Sequence, residues 1–191
     1  MRKNKIKTTK EEIVDYWFSR MDECRMSVDA SEAHERCWRC GCKHTLERCH
    51  IIADSLGGKD KPSNFVLLCN RCHIENPNVL DPEIMWDWIY AYKTPFYDTF
   101  WFLQGAKEYK KIYNKSISEE IIERNINDEK IIKNILEEEI RKTTFHFGHP
   151  YLNSATIAGI LRTTIYEIFK KIINYAFGKE MTDDLVINNY I

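Results

Sequence analysis

The chain has 191 residues, 28 Lys and Arg against 29 Asp and Glu, a formal net charge of −1 and a hydrophobic content of 43%. Such a length and balance suit one moderate soluble domain, or a small motif with a helical partner. They exclude a protein that holds polyanions through an overall basic field, so any nucleic-acid surface has to be a local patch. No stretch approaches the roughly 18–20 apolar residues of a membrane span, and no membrane partner is expected.

The first ten residues carry Arg2, Lys3, Lys5, Lys7 and Lys10, which makes them either a flexible arm for a phosphate backbone or a solvated tail. They are basic and polar with no apolar segment behind them. The odd count of seven cysteines, four of them in metal-ligand spacing, suits a reducing compartment, and a cytoplasmic protein is expected. From Thr9, TKEEIVDYWFSRM predicts a helix opened by a capping box, because Glu12 follows Thr9 by three residues. Ile13, Val14, Trp17, Phe18 and Met21 recur at helical spacing, an apolar face for packing on the next segment. Residues 1–30 thus read as a basic arm and a helix.

Cysteines dominate the next segment. Cys37/Cys40 and Cys69/Cys72 are two Cys-x-x-Cys pairs, and four thiolates at that spacing can close a tetrahedron around Zn²⁺. Cys42 is close enough in sequence to compete but reads as a bystander. Between the pairs, LERCHII has the alternation of a strand, DSLGGKD supplies a turn through Gly57 and Gly58, and PSNFVLLC leads back to the second pair. CNRCHIENPN then opens a short helix ended by Pro77. Residues 31–80 therefore predict strand, turn, strand and helix, a ββα unit clamped by zinc.

The order Cys-x-x-Cys, CHII, Gly-Gly, SNFVLLC, Cys-His resembles the HNH (ββα-metal) endonucleases, over residues of about 33–78. The resemblance implies that His50 is the general base activating water, that Asn64 holds the loop and orients that histidine, and that His73 ligates a catalytic divalent ion. The chemistry asks for such groups independently. In-line cleavage of a phosphodiester needs a hydroxide nucleophile, which an imidazole can generate at neutral pH, and a hard cation such as Mg²⁺ to offset the charge that builds up. Against these stand plainer readings: four buried free thiols, a strand histidine, a surface histidine at 73, and Asn64 as turn chemistry after Pro62.

One position departs from the family pattern. Many members carry Asp or His just before the base as a second metal ligand, and here that residue is Cys49. A thiol is a poor Mg²⁺ ligand. Glu47, two residues back on the same side of a strand, is the candidate substitute. The alternatives are His73 with water and phosphate oxygens, or a softer ion such as Mn²⁺, Ni²⁺ or Zn²⁺. Basic residues cluster around the motif, and Arg48, Lys59, Lys61 and Arg71 are the expected phosphate contacts.

Residues 81–191 read as helical. Asp81-Pro82 opens EIMWDWIYAYK, Pro95 interrupts it, and the helix resumes through FYDTFWFLQGAKEYKKIYNK, whose aromatics suit a core better than base stacking. SISEEIIERNINDEKIIKNILEEEIRK is amphipathic, with Ser118 as its cap and a break near residues 125–128. Its Ile121, Ile122, Ile126, Ile131, Ile132, Ile135, Leu136 and Ile140 are assigned to one side. HFGHP reads as a turn with structural histidines, and NSATIAGILRTTIYEIFKKIINYAF as a buried or dimer-forming helix stopped by Gly178.

The expectation is an α+β chain: a zinc-bound ββα-metal (HNH) unit near the N-terminus with a mostly α-helical remainder. Its activity would be metal-dependent hydrolysis of double-stranded DNA by a restriction-type or phage-borne enzyme, as a homodimer cutting both strands. The competing expectation is a non-catalytic zinc knuckle that binds nucleic acid, with Cys49 marking the loss of catalysis.

Overall fold

A computed structural model describes residues 6–144 and 151–177. Arg2, Lys3, Lys5, the HFGHP turn and Gly178 with the segment after it lie outside the described residues. The chain divides into two units, Met1–Phe100 and Trp101–Ile191. The fold is α+β, with one two-stranded antiparallel sheet and seven α-helices among the described residues.

The first unit is built on strands β1 (Leu46–His50) and β2 (Phe65–Cys69), paired from Leu46 opposite Cys69 to His50 opposite Phe65. All five residues of β2 are buried, as the unbroken apolar run FVLLC requires. A two-stranded sheet is marginal alone. Helices α1 (Lys10–Phe18) and α2 (Asn70–Ile74) pack on this one, and α3 (Glu83–Ala91) lies against α1.

Helix α1 starts where the sequence places it. The Thr9 hydroxyl accepts from Glu12 N–H, and the Glu12 carboxylate accepts from Thr9 N–H, so both halves of the capping box form. Ile13 and Val14 are buried, and the Trp17 indole donates to the Phe65 carbonyl at 2.8 Å, fixing the helix to β2. Helix α3 begins one residue later than the Asp81-Pro82 signal predicts: Pro82 takes the cap position, and the Asp81 carboxylate accepts from Glu83 N–H at 3.1 Å. Trp86 stacks edge-on against Trp17, with ring centroids 4.5 Å apart. Met85, Trp86 and Ile89 are buried in the core, while Trp88, Tyr90 and Tyr92 are half-buried at its edge.

The second unit is helical: most of α4 (Phe100–Tyr113), then α5 (Ile117–Glu123), α6 (Glu129–Lys142) and α7 (Ser154–Phe177). Its core joins Tyr109, Ile126, Ile135, Ala158, Leu161, Ile165 and Ile168. The cap of α5 is Ser116, not Ser118, because only Ser116 has glutamate three residues on to complete a capping box. The single apolar face expected across residues 121–140 is also corrected. The break expected near residues 125–128 forms, with Asn125 at φ 51, and it gives α5 and α6 each their own face. Ile122, Ile131 and Ile140 turn outward, with Ile122 76% exposed.

Two glycines in this unit make opposite predictions. A Cβ on Gly105 would lie 2.2 Å from Ile157 Cγ2 and 2.6 Å from its Cβ, whereas one on Gly159 would meet nothing within 4 Å. Gly105→Ala should destabilise the unit by about 1–3 kcal/mol through overpacking. Gly159→Ala should stabilise it by about 0.5–1 kcal/mol through helix propensity. Thermal melts of both variants should move in opposite directions, and a parallel shift would contradict the packing of α4 on α7.

Candidate metal centre and active site

The two knuckles meet as their spacing predicts. Cys37, Cys40, Cys69 and Cys72 are buried, and their Sγ atoms all lie within 4.8 Å of one another. A tetrahedral zinc with Zn–S bonds of about 2.3 Å requires sulfur separations of about 3.8 Å. Cys40 and Cys69 stand 3.9 Å apart. Local backbone geometry produces this. Gly41, at φ 65, closes the first knuckle by donating to the Cys37 carbonyl at 2.8 Å, and Cys37 N–H donates to the Cys42 carbonyl at 3.0 Å. Trp38 N–H donates to the Leu67 carbonyl at 3.0 Å, which ties that knuckle to β2.

The tetrad also needs a cation electrostatically. Hydrogen bonds from Cys37, Cys40 and Cys72 hold the Cys69 thiol far below its ordinary value, while bonds to Cys37, Cys42 and Cys69 drive Cys40 far above. Four sulfurs so close cannot all be thiolates unless a metal ion carries the opposing charge. Buried Arg39, 4% exposed, supplies part of it: its Nη1 lies 3.6 Å from Cys72 Sγ and 2.5 Å from Glu75 Oε2. Its guanidinium stacks over Trp88, Tyr92 and Phe100, at 4.2, 4.5 and 5.0 Å. The four cysteines are thus placed to hold zinc. Cys42 takes no part; it is buried, with its thiol facing the Cys40 carbonyl at 3.5 Å.

His50 ends β1, half-buried, with its ring 4.5 Å from that of Phe65. Burial pulls its imidazole below the ordinary histidine value. His73 reinforces this, and Asp54 and Asp60 oppose it. Just past His50 the chain is locked by Asn64. The Asn64 Oδ1 accepts from Ile52 N–H at 2.9 Å, its Nδ2 donates to the carbonyls of Ile52 and Lys59 at 3.0 Å each, and its own carbonyl accepts from Ile51 N–H at 2.8 Å. Asn64 therefore holds the loop through backbone on both sides. Its hydrogen bonds go to residues 51, 52 and 59, so any effect on the His50 ring passes through the strand end.

The two loop glycines answer different needs. Gly57 has φ 88, open to glycine, while a Cβ on Gly58 would lie 1.8 Å from the Ile52 carbonyl oxygen and 2.8 Å from Asn64 Nδ2.

His73, on α2, meets Glu47 of β1: Nδ1 to Oε2 is 2.6 Å, and Asn70 Nδ2 donates to the other Glu47 oxygen at 3.4 Å. Cys49 is fully buried, its thiol pushed up to about 12 by burial and, secondarily, by Cys37 and Glu47. Its Sγ faces the His50 carbonyl at 3.7 Å. Among the described residues, the cysteine tetrad is the one group of three or more candidate ligands.

Of the expected phosphate contacts, Lys59 and Lys61 are exposed in the loop and Arg71 is half-buried on α2. Arg48 is engaged elsewhere, its Nη1 donating to the Thr8 carbonyl at 2.8 Å. Sequence reasoning gave no role to Arg39 or Asp60, and placed Trp17 on a packing face without its indole hydrogen bond. Their partners are 33, 53 and 48 residues away, so no local pattern could have shown them.

Comparison with known families agrees with this geometry. Residues 37–88 match the HNH endonuclease family. The HNH segment takes in both knuckles, the sheet, α2 and α3 as far as Trp88. No curated protein and no solved structure matches the chain.

Metal analysis should find one zinc per chain, lost in Cys40→Ser together with the folded state of the first unit. Asn64→Ala would leave the Ile52 amide and two carbonyls without their partner, and should lower stability by at least about 2 kcal/mol in urea denaturation. A change within about 0.5 kcal/mol would contradict the clamp.

Proposed function

We propose that this protein is an endonuclease that hydrolyses DNA phosphodiester bonds, with His50 as general base and a divalent ion held by Glu47 and His73. The observation that carries the reading is the convergence, on one zinc-ordered sheet and helix, of an imidazole kept neutral and a separate carboxylate–imidazole pair.

The neutral His50 ring can take a proton from the attacking water. Asn64 fixes the backbone just beyond it, and Phe65 packs against the ring, so the base is held by backbone and packing. One carboxylate oxygen and one imidazole nitrogen, both partly open to solvent, are a donor set that suits Mg²⁺ or Mn²⁺ completed by water and phosphate oxygens. Ni²⁺ is also compatible with the imidazole. When bound, such an ion supplies charge to offset that developing on the phosphate and the departing oxygen. Cys49 has no place in this set, because its thiol is buried and stays protonated at neutral pH. Glu47 takes over the role that the residue before the base has elsewhere.

Double-stranded DNA is the proposed substrate, and Lys59, Lys61 and Arg71 are proposed to contact its backbone. Cutting both strands would need two copies of the site, which favours a homodimer. A restriction-type or phage-borne role is proposed with it. A knuckle that only binds nucleic acid is the alternative, favoured by the absence of a third ligand beside Glu47 and His73 among the described residues.

Plasmid incubated with Mg²⁺, Mn²⁺ or Ni²⁺ should be nicked by the protein and left intact by His50→Ala, with a loss of at least about 100-fold. Retarded but uncut plasmid under all three ions would support the binding module. Because the His50 pKa is lowered, the base form persists into mildly acidic solution. The rate should climb with pH and level off, with an acidic midpoint below about 6.5. A midpoint above 7 would remove His50 from the role.

A further inference from the structure

The approach to α1 is fastened to the first unit by a device that lies partly outside the HNH segment. The Lys7 and Thr8 N–H groups donate to Asp60 Oδ2 and Oδ1, at 2.7 and 3.2 Å. Arg48 Nη1 donates to the Thr8 carbonyl at 2.8 Å and reaches the Ile6 carbonyl at 3.5 Å. One carboxylate and one guanidinium thus hold both sides of a short stretch of backbone, and Thr8 is 6% exposed as a result. Residues 6–9 are laid against the protein, where the sequence had suggested a loose arm or tail.

The place where they are laid matters. Arg48 and His50 are two apart on β1 and so project from the same face. Asp60 is close enough to act on the charge of His50. Lys59 and Lys61 flank Asp60 in the loop, and Lys7 starts from the backbone amide that Asp60 holds. All three lysines are exposed. Among the described residues, no carboxylate pairs with the Lys7, Lys59 or Lys61 ammonium, so these three groups are left for solvent or a ligand. The Asp60 carboxylate, which might have neutralised them, is occupied by two backbone amides.

We propose that Lys7, Lys59 and Lys61, gathered around Asp60, form a binding patch for the phosphate backbone of the substrate strand beside His50, and that Arg48 and Asp60 are positioning residues that hold Lys7 there. This rests on the nuclease reading. It adds a contact from outside residues 37–88 and gives Arg48 a structural duty instead of a phosphate. A lysine whose backbone is already fixed loses less freedom on binding than one on a free tail.

The test uses zinc-loaded His50→Ala protein, which cannot cut, and fluorescein-labelled duplex DNA followed by anisotropy over a range of KCl concentrations. Lys7→Gln should lower affinity severalfold and reduce the slope of log K against log salt by about 0.9, one phosphate contact. Asp60→Ala discriminates more sharply. Removing a negative charge near DNA should by charge alone tighten binding; the clamp predicts weaker binding, and a Lys7→Gln change that costs nothing further in that background. Zinc content and a thermal melt establish that the alanine variant is folded. Asp60→Asn, which keeps one acceptor oxygen, should show the same sign at smaller size and serves if the alanine variant is not folded. An unchanged salt slope in Lys7→Gln overturns the patch, and tighter binding by the Asp60 variants overturns the clamp, while duplex binding by the parent leaves the nuclease reading standing. A parent protein with no duplex affinity at low salt overturns both.

Discussion

Four sulfurs gathered within 4.8 Å of one another, placed to hold one zinc ion, are the constraint from which the first unit follows. The sheet has five residue pairs and no third strand among the described residues, too little to hold itself flat and in register. The tetrad supplies what is missing. Cys69 ends β2 and opens α2, Cys72 lies one turn on, and Cys37 and Cys40 bring in a distant segment whose Trp38 amide bonds to the same strand. Register, strand end and helix start are thereby fixed together, which sets Glu47 opposite Leu68 and His50 opposite Phe65.

From that frame the proposed base is held by indirect means. No side-chain hydrogen bond to the His50 ring is formed by a described residue; Phe65 packs beside it and Asn64 pins the chain beyond it. Phe65 is in turn anchored from outside the HNH segment, because its carbonyl accepts the Trp17 indole N–H. An imidazole arranged in this way keeps both ring nitrogens available for water and a ligand. Its lowered pKa comes from burial first and the neighbouring His73 second, against Asp54 and Asp60.

Much of this was legible in the sequence because it is local. Cys-x-x-Cys pairs, Thr9 with Glu12, the Gly-Gly turn and the FVLLC run each act over a few residues, and the structure forms each of them. The misreadings have the opposite origin. Arg48 looked like a phosphate contact because a lone arginine beside a motif gives no hint that residue 8 will come to meet it. Ser118 looked like a cap until the glutamate that completes a capping box was matched to Ser116. The break near residues 125–128 was expected and forms at Asn125, but the isoleucines on its two sides were assigned to one face, and periodicity does not show how a left-handed residue turns the second helix relative to the first. Glu47 paired with His73 follows only once β1 and α2 are folded on each other.

Arg39 has a consequence for where this nuclease-like piece begins and ends. Its guanidinium touches a metal-ligand sulfur on one side and three rings on the other, and of those rings only Trp88 falls within the matched residues. Tyr92 and Phe100 come later in the chain. A fragment trimmed at residue 88 would retain every cysteine ligand yet strip two walls from a sealed cation, leaving it open to water next to the thiolates. The packing around the four sulfurs therefore extends at least to Phe100, and the border drawn by sequence similarity cuts through it.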